Sequence, residues 1–504
     1  MKLFRFLVVI FACAALVSCS DRKGQLEKLI PSDVAGVVCI NVPNILEKSE
    51  IKQGDDLVIP ESLKNVIDAN DEQTFGQLVK AVPNLGVEIK DKAYLFFPND
   101  TYDYVALIAI DEEDKAKTLI SHKTGEQFAD IEGVSCVKSD DSVWCIEDGV
   151  LFCGKLRGEV KMEKAVKWAK SILDYEGKSI GDTEIAKDLV DADKELTAYL
   201  DMQKFGKQVR SNVAINSVLG NYPILQVLID SDIKSVKMKM SFDGNKGDVD
   251  MDIAMDENGE FATMMKTLLQ KPSNTFLKAI PNTMKLVVST SVNGKVFAEM
   301  PQVKKMIKMV NDMPFLGRLD ISAMVSAIDG PVAVGVATDP VFSDEYNYVF
   351  AARTMQPSTI IDLISTFASS FGQEPELYQG EYIYAYNNKQ VRVGVIDDVV
   401  YVKMLNYEQT EPNCDGDKQM NDFFSQSLLG AYCQIENGGK HSTFSFGLKN
   451  AHSAKGSFVT EKNESAILQF LQFLCSIKPV NSYDYDMDEI EGSADNMIGE
   501  FQSF

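Results

Sequence analysis

The sequence is poor in the residues that carry most enzyme chemistry. It has only three histidines, His122, His441 and His452, none spaced with another for metal binding, and it has no HExxH motif. Gly177-Lys178-Ser179 is not a phosphate loop, because Ile172 stands where that motif needs its first glycine. We also expect no GxSxG nucleophile elbow of the kind found in α/β-hydrolases. These absences predict no metal, no cofactor and no identifiable catalytic residue.

Basic residues are too few to balance the acidic ones. The chain of 504 residues has 74 Asp and Glu against 50 Lys and Arg, so its formal net charge is −24. A body this acidic repels nucleic acid, and we expect no nucleic-acid partner. Hydrophobic residues make up 45% of the chain, enough for a large core. The length indicates about two to four domains.

Beyond the N-terminus, no apolar run is long enough to span a bilayer. The short apolar run 6–17 follows Lys2 and Arg5 and ends in Leu16-Val17-Ser18-Cys19. A basic start, a short apolar run and a small-residue cleavage site, in this order, predict a secretory signal peptide with a lipobox. Cys19 would then carry the lipid, such as palmitate, that anchors the chain to a membrane. The alternative is a plain signal peptide that contains a cysteine.

The residues after Cys19 bear on which membrane holds the chain. Ser20 follows Cys19, and Asp21 comes next, ahead of Arg22 and Lys23. Resemblance to bacterial lipoproteins implies sorting to the outer membrane, because an aspartate directly after the cysteine is the usual inner-membrane retention signal. The single acid followed by two bases favours the periplasmic leaflet over the cell surface, where an acidic cluster is common.

Nine cysteines occur, of which Cys13 leaves with the signal and Cys19 takes the lipid, so seven remain. An odd number leaves at least one thiol unpaired within the chain. Cys136 and Cys145 flank the turn-like segment 139–142, and a tight hairpin there would place them opposite each other. A disulfide between them is then geometrically allowed in an oxidising compartment. The alternative is that these cysteines are small buried hydrophobes.

Four short segments recur in the same order at a spacing of roughly 235–250 residues, which is the size of a domain. The pairs are 29–32 with 279–282, 102–105 with 346–349, 146–151 with 396–401, and 196–200 with 429–433. Four matches in order predict two tandem copies of one α+β domain. Strands arrive in consecutive pairs with tight turns, which indicates in each copy a mainly antiparallel sheet with packed helices.

This repeat sets the predicted domain organisation. A signal peptide, 1–18, is followed by the lipidated cysteine and a short linker, 19–28. The first α+β domain covers 29–270, and the second covers 271–477. An acidic, poorly ordered tail, 478–504, completes the chain. Helices are expected over 160–173, 206–219, 296–310 and 466–475.

One hairpin defines its own register. Apolar residues alternate with Lys237 and Lys239 in 236–242, and with aspartates in 248–253. Registers that keep the apolar sides together place Lys239 opposite Asp250 or Asp252. The result is a solvated charge ladder. Calcium binding by the aspartates is the alternative, which the facing lysines oppose.

Three alternate tyrosines, Tyr382, Tyr384 and Tyr386, form the candidate ligand site. On a strand they share one face, where exposed rings could stack on a sugar or contact a protein partner. Beneath a helix, the same rings would simply be core, with their hydroxyls reaching the edge.

The opening Ile30-Pro31-Ser32-Asp33-Val34-Ala35-Gly36-Val37-Val38-Cys39-Ile40-Asn41, after a lipobox and before a long α+β body, resembles a lipoprotein family of the Bacteroidetes. That family is catalogued as a domain of unknown function, number 4836. The resemblance covers nearly the whole chain but brings no catalytic residue with it. It implies a cell-envelope location and a non-enzymatic role.

Two classes of function follow from these observations. The first is a lipid-anchored envelope protein that binds or scaffolds a protein or glycan partner, using a groove between the two copies. The second is an envelope hydrolase whose carboxylates and tyrosines converge only in three dimensions.

Overall fold

The computed structural model describes residues 25–51, 58, 60–69, 92–98, 102–110, 112–139, 142–157, 160–189, 194–211, 232–311, 320–337, 347–370, 374–386, 389–406, 414–437 and 440–476. The signal peptide, Cys19 and the acidic tail lie outside these residues. The described residues form twenty strands and thirteen α-helices, and every described strand pair is antiparallel. The protein is therefore α+β with a large antiparallel sheet.

The strands have these bounds: β1 Gly36–Ile40, β2 Ala93–Phe97, β3 Tyr102–Ala109, β4 Ala129–Ile131, β5 Val134–Ser139, β6 Ser142–Glu147, β7 Val150–Leu156, β8 Leu196–Asp201, β9 Ile233–Asp243, β10 Lys246–Met255, β11 Leu286–Asn293, β12 Ile328–Val336, β13 Tyr348–Thr354, β14 Glu376–Tyr378, β15 Glu381–Tyr386, β16 Lys389–Ile396, β17 Val399–Asn406, β18 Leu429–Asn437, β19 Lys440–Asn450 and β20 Ser453–Val459.

The helices have these bounds: α1 Val42–Lys48, α2 Glu61–Ala69, α3 Glu113–Thr124, α4 Met162–Leu173, α5 Glu184–Leu189, α6 Met202–Ser211, α7 Glu260–Leu268, α8 Gly294–Glu299, α9 Pro301–Asn311, α10 Ile321–Ala327, α11 Pro357–Ser370, α12 Lys418–Phe424 and α13 Ala466–Ser476. None of the helices in the described ranges is long and apolar enough to cross a membrane.

The chain divides into two compact bodies. The second body is Met265–Gln434, and the first body holds the described residues before Met265 together with those after Gln434. Sequence spacing predicts a single boundary at 270/271, whereas the structure returns the last segment to the first body. The reason is main-chain pairing, because β20 lies beside β10, with Asp250 opposite Lys455.

The first body contains one continuous antiparallel sheet. Its neighbouring strands run in the order β4-β5-β6-β7-β3-β2-β1-β8-β9-β10-β20-β19. In the β9–β10 hairpin, Lys239 stands opposite Asp250, one of the two predicted registers. The charged residues of the hairpin form salt bridges with residues outside it: Lys237 and Lys239 contact Asp188, and Asp250 contacts Lys455.

Helix α4 seals part of this sheet because its apolar residues recur at helical spacing. Ala165, Ala169 and Ile172 are buried on one side of α4. The ring of Trp168 lies 4.9 Å from that of Tyr102, whose hydroxyl donates to the Ala165 carbonyl over 2.8 Å. Each large apolar side chain buried in this way contributes about 1.5–3 kcal/mol.

The second body has a smaller sheet, in the order β14-β15-β16-β17-β13-β12-β11-β18. One side of this sheet packs on a core that includes Phe276, Phe424 and Tyr432. The rings of Phe276 and Phe424 meet edge to face at 5.1 Å. The other side of the sheet is described with the candidate site.

Two predicted helices differ in extent from the observed ones. The helix expected over 206–219 begins at Met202 and is described to Ser211, with the remainder outside the described residues. The helix expected over 296–310 is two helices, α8 and α9, with Met300 extended between them. Pro301 explains the break, because proline disfavours helical backbone in the residue before it and suits the first helical position.

Candidate functional site

An apolar face, defined here as two rows of side chains, runs across the sheet of the second body. Facing residues in an antiparallel sheet share a side, so the register assembles each row. The first row is Leu377, Tyr382, Val393, Val402, Phe350, Val334, Val288 and Ala431. The second row is Tyr384, Val391, Met404, Tyr348, Val336, Leu286 and Cys433.

The apolar face is covered over β15 to β17 and bare at the end formed by β11 to β13, while Leu377 at the β14 edge is 65% exposed. Over β15 to β17, where α11 packs, Val393 is only 1% exposed. Over β11 to β13, Val288, Val334 and Phe350 are 39%, 42% and 42% exposed. A contiguous exposed apolar patch of this kind marks an interaction site more often than chance exposure does.

The predicted tyrosine site lies on the covered part of this face. Tyr384 is 5% exposed, and its hydroxyl lies 3.1 Å from the Ser365 hydroxyl on α11. Tyr382 is half-buried opposite Val393. The side chain of Tyr386 is outside the described residues, although its backbone pairs with Lys389. Because one ring is enclosed, the described tyrosines do not form an open stacking platform.

The opposite side of β15 carries a charged cluster. The Tyr401 hydroxyl donates to Glu381 Oε1 over 2.6 Å, and Arg392 Nη1 lies 3.6 Å from Glu381 Oε2. Lys403 Nζ stands 4.3 Å from the centre of the Tyr401 ring, a cation–π contact. Gly394 makes room for Tyr401, since a Cβ there would lie 2.4 Å from the Tyr401 hydroxyl.

The protonation states in this cluster follow from burial and from the contacts just described. Burial, followed by the hydrogen bond to Glu381 and its charge, raises the pKa of Tyr401, so its hydroxyl stays protonated and donates. Burial also lowers the pKa of Lys403, with Arg392 adding to the shift and Glu381 opposing it. Carboxylate-based glycoside hydrolysis needs two acids facing one bond, and Glu381 is the one acid among the described contacts of this cluster.

Cys136 and Cys145 stand directly opposite each other on β5 and β6, with their Cα atoms 4.2 Å apart, and their sulfur atoms form a disulfide. Cys39 and Cys414 are buried outside any disulfide. Burial raises the pKa of Cys39 to about 11 and that of Cys414 to about 12. These two thiols are therefore poor nucleophiles.

Ser179 lies in a sequence pattern that we did not expect to find in this chain. Residues 177–181 read Gly-Lys-Ser-Ile-Gly, which does match the pattern of a hydrolase nucleophile elbow. The structure gives Ser179 a different role: it is 1% exposed and caps a single 3₁₀ turn, its hydroxyl donating to Asp182 Oδ2 over 2.8 Å. The expectation that the chain lacks the GxSxG pattern is therefore wrong, although no strand leads directly into this serine and the pattern does not form the elbow.

The three histidines are dispersed. His122 and His441 are exposed, and His452 Nδ1 lies 3.3 Å from the Ile253 carbonyl. Within the described ranges, no group of three His, Cys, Asp or Glu side chains is arranged to hold a metal ion.

Comparison with known proteins adds little. No model of a protein family and no curated protein matches the chain. Three crystal forms of a protein named TP0453 are similar to it. Form III is 11% identical with a TM-score of 0.31, covering 49% of this chain and 89% of that one. Form IV is 12% identical with a TM-score of 0.29, covering 45% and 79%. Form I is 10% identical with a TM-score of 0.29, covering 50% and 80%.

The sequence held one signal for the apolar face. Strand β11 reads Leu-Val-Val-Ser-Thr-Ser-Val-Asn, so neighbouring valines, Val287 and Val288, point to opposite sides of the sheet. Such a strand is expected to be covered on both sides. Val287 is fully buried whereas Val288 is exposed. The sequence of the strand alone therefore does not show that one of its sides is uncovered.

Proposed function

We propose that this chain is a lipid-anchored cell-envelope protein that binds a protein partner through the bare end of its apolar face and catalyses no reaction. The observation that supports it is the exposure of Val288, Val334 and Phe350, which are neighbours in one row of one sheet. Each of these side chains is already more than half buried, so covering the remainder contributes less than the about 1.5–3 kcal/mol of a fully exposed side chain, but a partner still gains affinity here. A glycan is disfavoured, because Tyr384 is enclosed by α11.

The duplication is part of this proposal. Eight strands of the first body, in the order β4-β5-β6-β7-β3-β2-β1-β8, match β14-β15-β16-β17-β13-β12-β11-β18 one for one. The Ile30 carbonyl accepts from the Ile180 N–H over 2.7 Å, as the Ile280 carbonyl accepts from the Cys414 N–H over 2.8 Å. Such agreement supports two copies of one domain.

The turns between the matched strands support the same conclusion. The β4–β5 turn places Glu132 at positive φ, as the β14–β15 turn does Gln379. The β6–β7 turn has Asp148 at φ 47°, and the β16–β17 turn has Asp397 at φ 55°. The sequence matched 146–151 with 396–401, which makes Glu147 equivalent to Asp397. The structure shifts this match by one residue: Glu147 faces Val150 as Ile396 faces Val399, so Glu147 is equivalent to Ile396.

The first copy shows what the apolar face looks like when it is sealed. Its corresponding row is Val137, Trp144, Cys153, Ala106, Leu95, Val38 and Ala198. Leu95 is 1% exposed where its counterpart Val334 is 42% exposed, and Ala106 is fully buried where Phe350 is exposed. We infer that the first copy serves stability and the second presents the binding face.

Site-specific photo-crosslinking in intact cells tests the binding role. A photoreactive phenylalanine at position 350 should give one discrete protein adduct. That adduct should disappear when Val288→Asp and Val334→Asp are added, since charge opposes apolar docking. The same group at Gln426, an exposed polar position of the second body, is the matched control and should give no such adduct. An adduct with lipid alone, or none at all, would contradict the protein-partner proposal.

The lipid anchor is proposed from the sequence and is tested separately. Labelling cells with an alkyne analogue of palmitate should mark the wild-type chain and not Cys19→Ala. The variant should also leave the membrane fraction, because a chain without acyl groups loses about 0.8 kcal/mol of anchoring per methylene. Retention of the unlabelled variant in the membrane would reject the anchor. Fractionation of the labelled protein and protease treatment of whole cells test the proposed outer-membrane, periplasmic location.

A further inference from the structure

A cleft of about 560 Å³ lies at one end of the second body's sheet, apart from the apolar face. It is lined by residues 269–273 together with Ser291, Gly330, Pro331 and Arg353. The segment 269–273 is held against β11 by a main-chain hydrogen bond, in which the Gln270 N–H donates to the Ser291 carbonyl over 2.9 Å. The volume is within the usual range of small-molecule sites.

The floor of the cleft carries an unsatisfied polar atom. Ser291 is 3% exposed, and its hydroxyl oxygen has no hydrogen-bond partner among the described residues. Leaving such a group buried and unpaired costs about 1–3 kcal/mol, so buried hydroxyls are normally satisfied. The hydroxyl oxygen is closed to solvent in this structure, so a ligand oxygen in the cleft would become its partner only after a small shift of the surrounding side chains.

Arg353 reaches the same cleft from β13, and its position is fixed by a glycine. Gly330 adopts φ 133°, a conformation that side chains rarely allow, and a Cβ there would lie 2.9 Å from Arg353 Cδ. The aliphatic part of Arg353 therefore lies against the bare backbone of Gly330. This packing directs the guanidinium while leaving it without a hydrogen bond or ion pair in the described part of the chain.

A second cation, Lys271, lines the cleft and likewise has no ion-pair partner within the described ranges. Two unpaired cations at one cleft stand out in a chain of net charge −24. The nearby acid Asp329 accepts a hydrogen bond from the Gln270 side chain and is not among the cleft-lining residues. The lining residues themselves therefore carry two positive charges and no negative one.

We infer that this cleft binds the phosphate group of a small phosphate monoester. A phosphate monoester carries close to two negative charges at neutral pH and three terminal oxygens, which match two cations and one hydroxyl donor. Leu269, Pro272 and Pro331 give the rest of the cleft an apolar wall for the organic part of the ligand. The phosphate could belong to a soluble metabolite or to a lipid head group. This site is independent of the partner-binding face proposed above.

Calorimetric titration of the full mature chain with glycerol 3-phosphate tests the inference. Saturable binding is expected, weakened about tenfold or more by Arg353→Gln and several-fold by Ser291→Ala, because each removes a donor to the phosphate. Lys305→Gln, which removes an exposed lysine from α9, is the matched control and should bind like the wild type. Acetate should bind far more weakly than glycerol 3-phosphate.

Flotation with vesicles separates the two sources of phosphate. Arg353-dependent binding to vesicles that contain phosphatidic acid, but not to phosphatidylcholine alone, would assign a lipid head group. Binding of glycerol 3-phosphate without vesicle binding would assign a soluble ligand. The inference is overturned if no phosphate compound binds, or if binding is unchanged in both Arg353→Gln and Ser291→Ala. Unaltered thermal unfolding of these variants would show that any loss is not a folding defect.

Discussion

Val334 and Phe350 stand directly opposite each other on β12 and β13, and each is 42% exposed. In most sheets, a facing valine and phenylalanine would be covered by a helix or a second sheet. The two side chains therefore pack across the strands as core residues do, but no helix or sheet among the described residues covers them fully.

Alanine substitutions should separate this bare face from its sealed counterpart. We expect Val334→Ala to lower the free energy of unfolding by less than about 1 kcal/mol, because little buried volume is lost. Leu95→Ala should cost about 2–5 kcal/mol, since it opens a cavity in a closed core. Urea unfolding of the full mature chain measures both. Equal losses would mean that Val334 is covered in solution.

An ion pair between a buried carboxylate and an exposed lysine offers a second test, in the first body. Glu195 is 1% exposed, and its carboxylate lies 2.7 Å from Lys48 Nζ and accepts from the Phe242 N–H over 2.7 Å. Lys48→Met should cost about 1–3 kcal/mol, because it removes the cation from a buried carboxylate that keeps its hydrogen bond from the Phe242 N–H. Adding Glu195→Gln should restore part of that loss in a double-mutant cycle. Strictly additive losses would argue against coupling of the two groups.

The pair of lysines facing Asp188 predicts a pH dependence. The hydrogen bond from Lys237 lowers the pKa of Asp188; burial opposes this shift, and the charges of Lys237 and Lys239 add to it. The stabilisation is therefore complete above the unfolded pKa of about 3.9 and is lost as pH falls through the lower folded pKa. Asp188→Asn should cost well under about 1 kcal/mol at pH 7, because the pair is largely exposed. The difference between variant and wild type should vanish in acid, as thermal unfolding between pH 2 and 7 would show.

The disulfide and the buried thiols predict which cysteines are linked and which react with an alkylating reagent. Mass spectrometry without reduction should find the peptides of Cys136 and Cys145 linked. Cys39 and Cys414 should resist iodoacetamide in the native protein at pH 8, because both thiols are buried and their pKa values are about 11 and about 12. Both should react once the protein is unfolded. Rapid native alkylation of Cys39 would contradict its burial.

Local features of this fold were accessible from the sequence. Alternation of lysines and apolar residues limited the β9–β10 hairpin to two registers, one of which places Lys239 opposite Asp250. The tight turn between β5 and β6 likewise suggested that Cys136 faces Cys145. In both cases the deciding contacts lie within a few residues, where side-chain periodicity and turn length determine the geometry.

Non-local features were not accessible. Val38 and Val288 occupy similar sequence surroundings, yet whether such a valine is covered depends on helices that pack from elsewhere in the chain. The pairing of β20 with β10 joins segments about two hundred residues apart, and no local pattern marks it. The cleft at Ser291 and Arg353 depends on the same kind of distant convergence.

The β10–β20 pairing also has a consequence for the order in which the protein is made. A chain synthesised from its N-terminus delivers β10 early and β20 only after the whole of Met265–Gln434 has followed. Until then β10 has an unpaired edge, the kind of surface that invites association with other chains. The first body therefore begins to form first and is completed last, and in the interval its sheet has an open edge at β10.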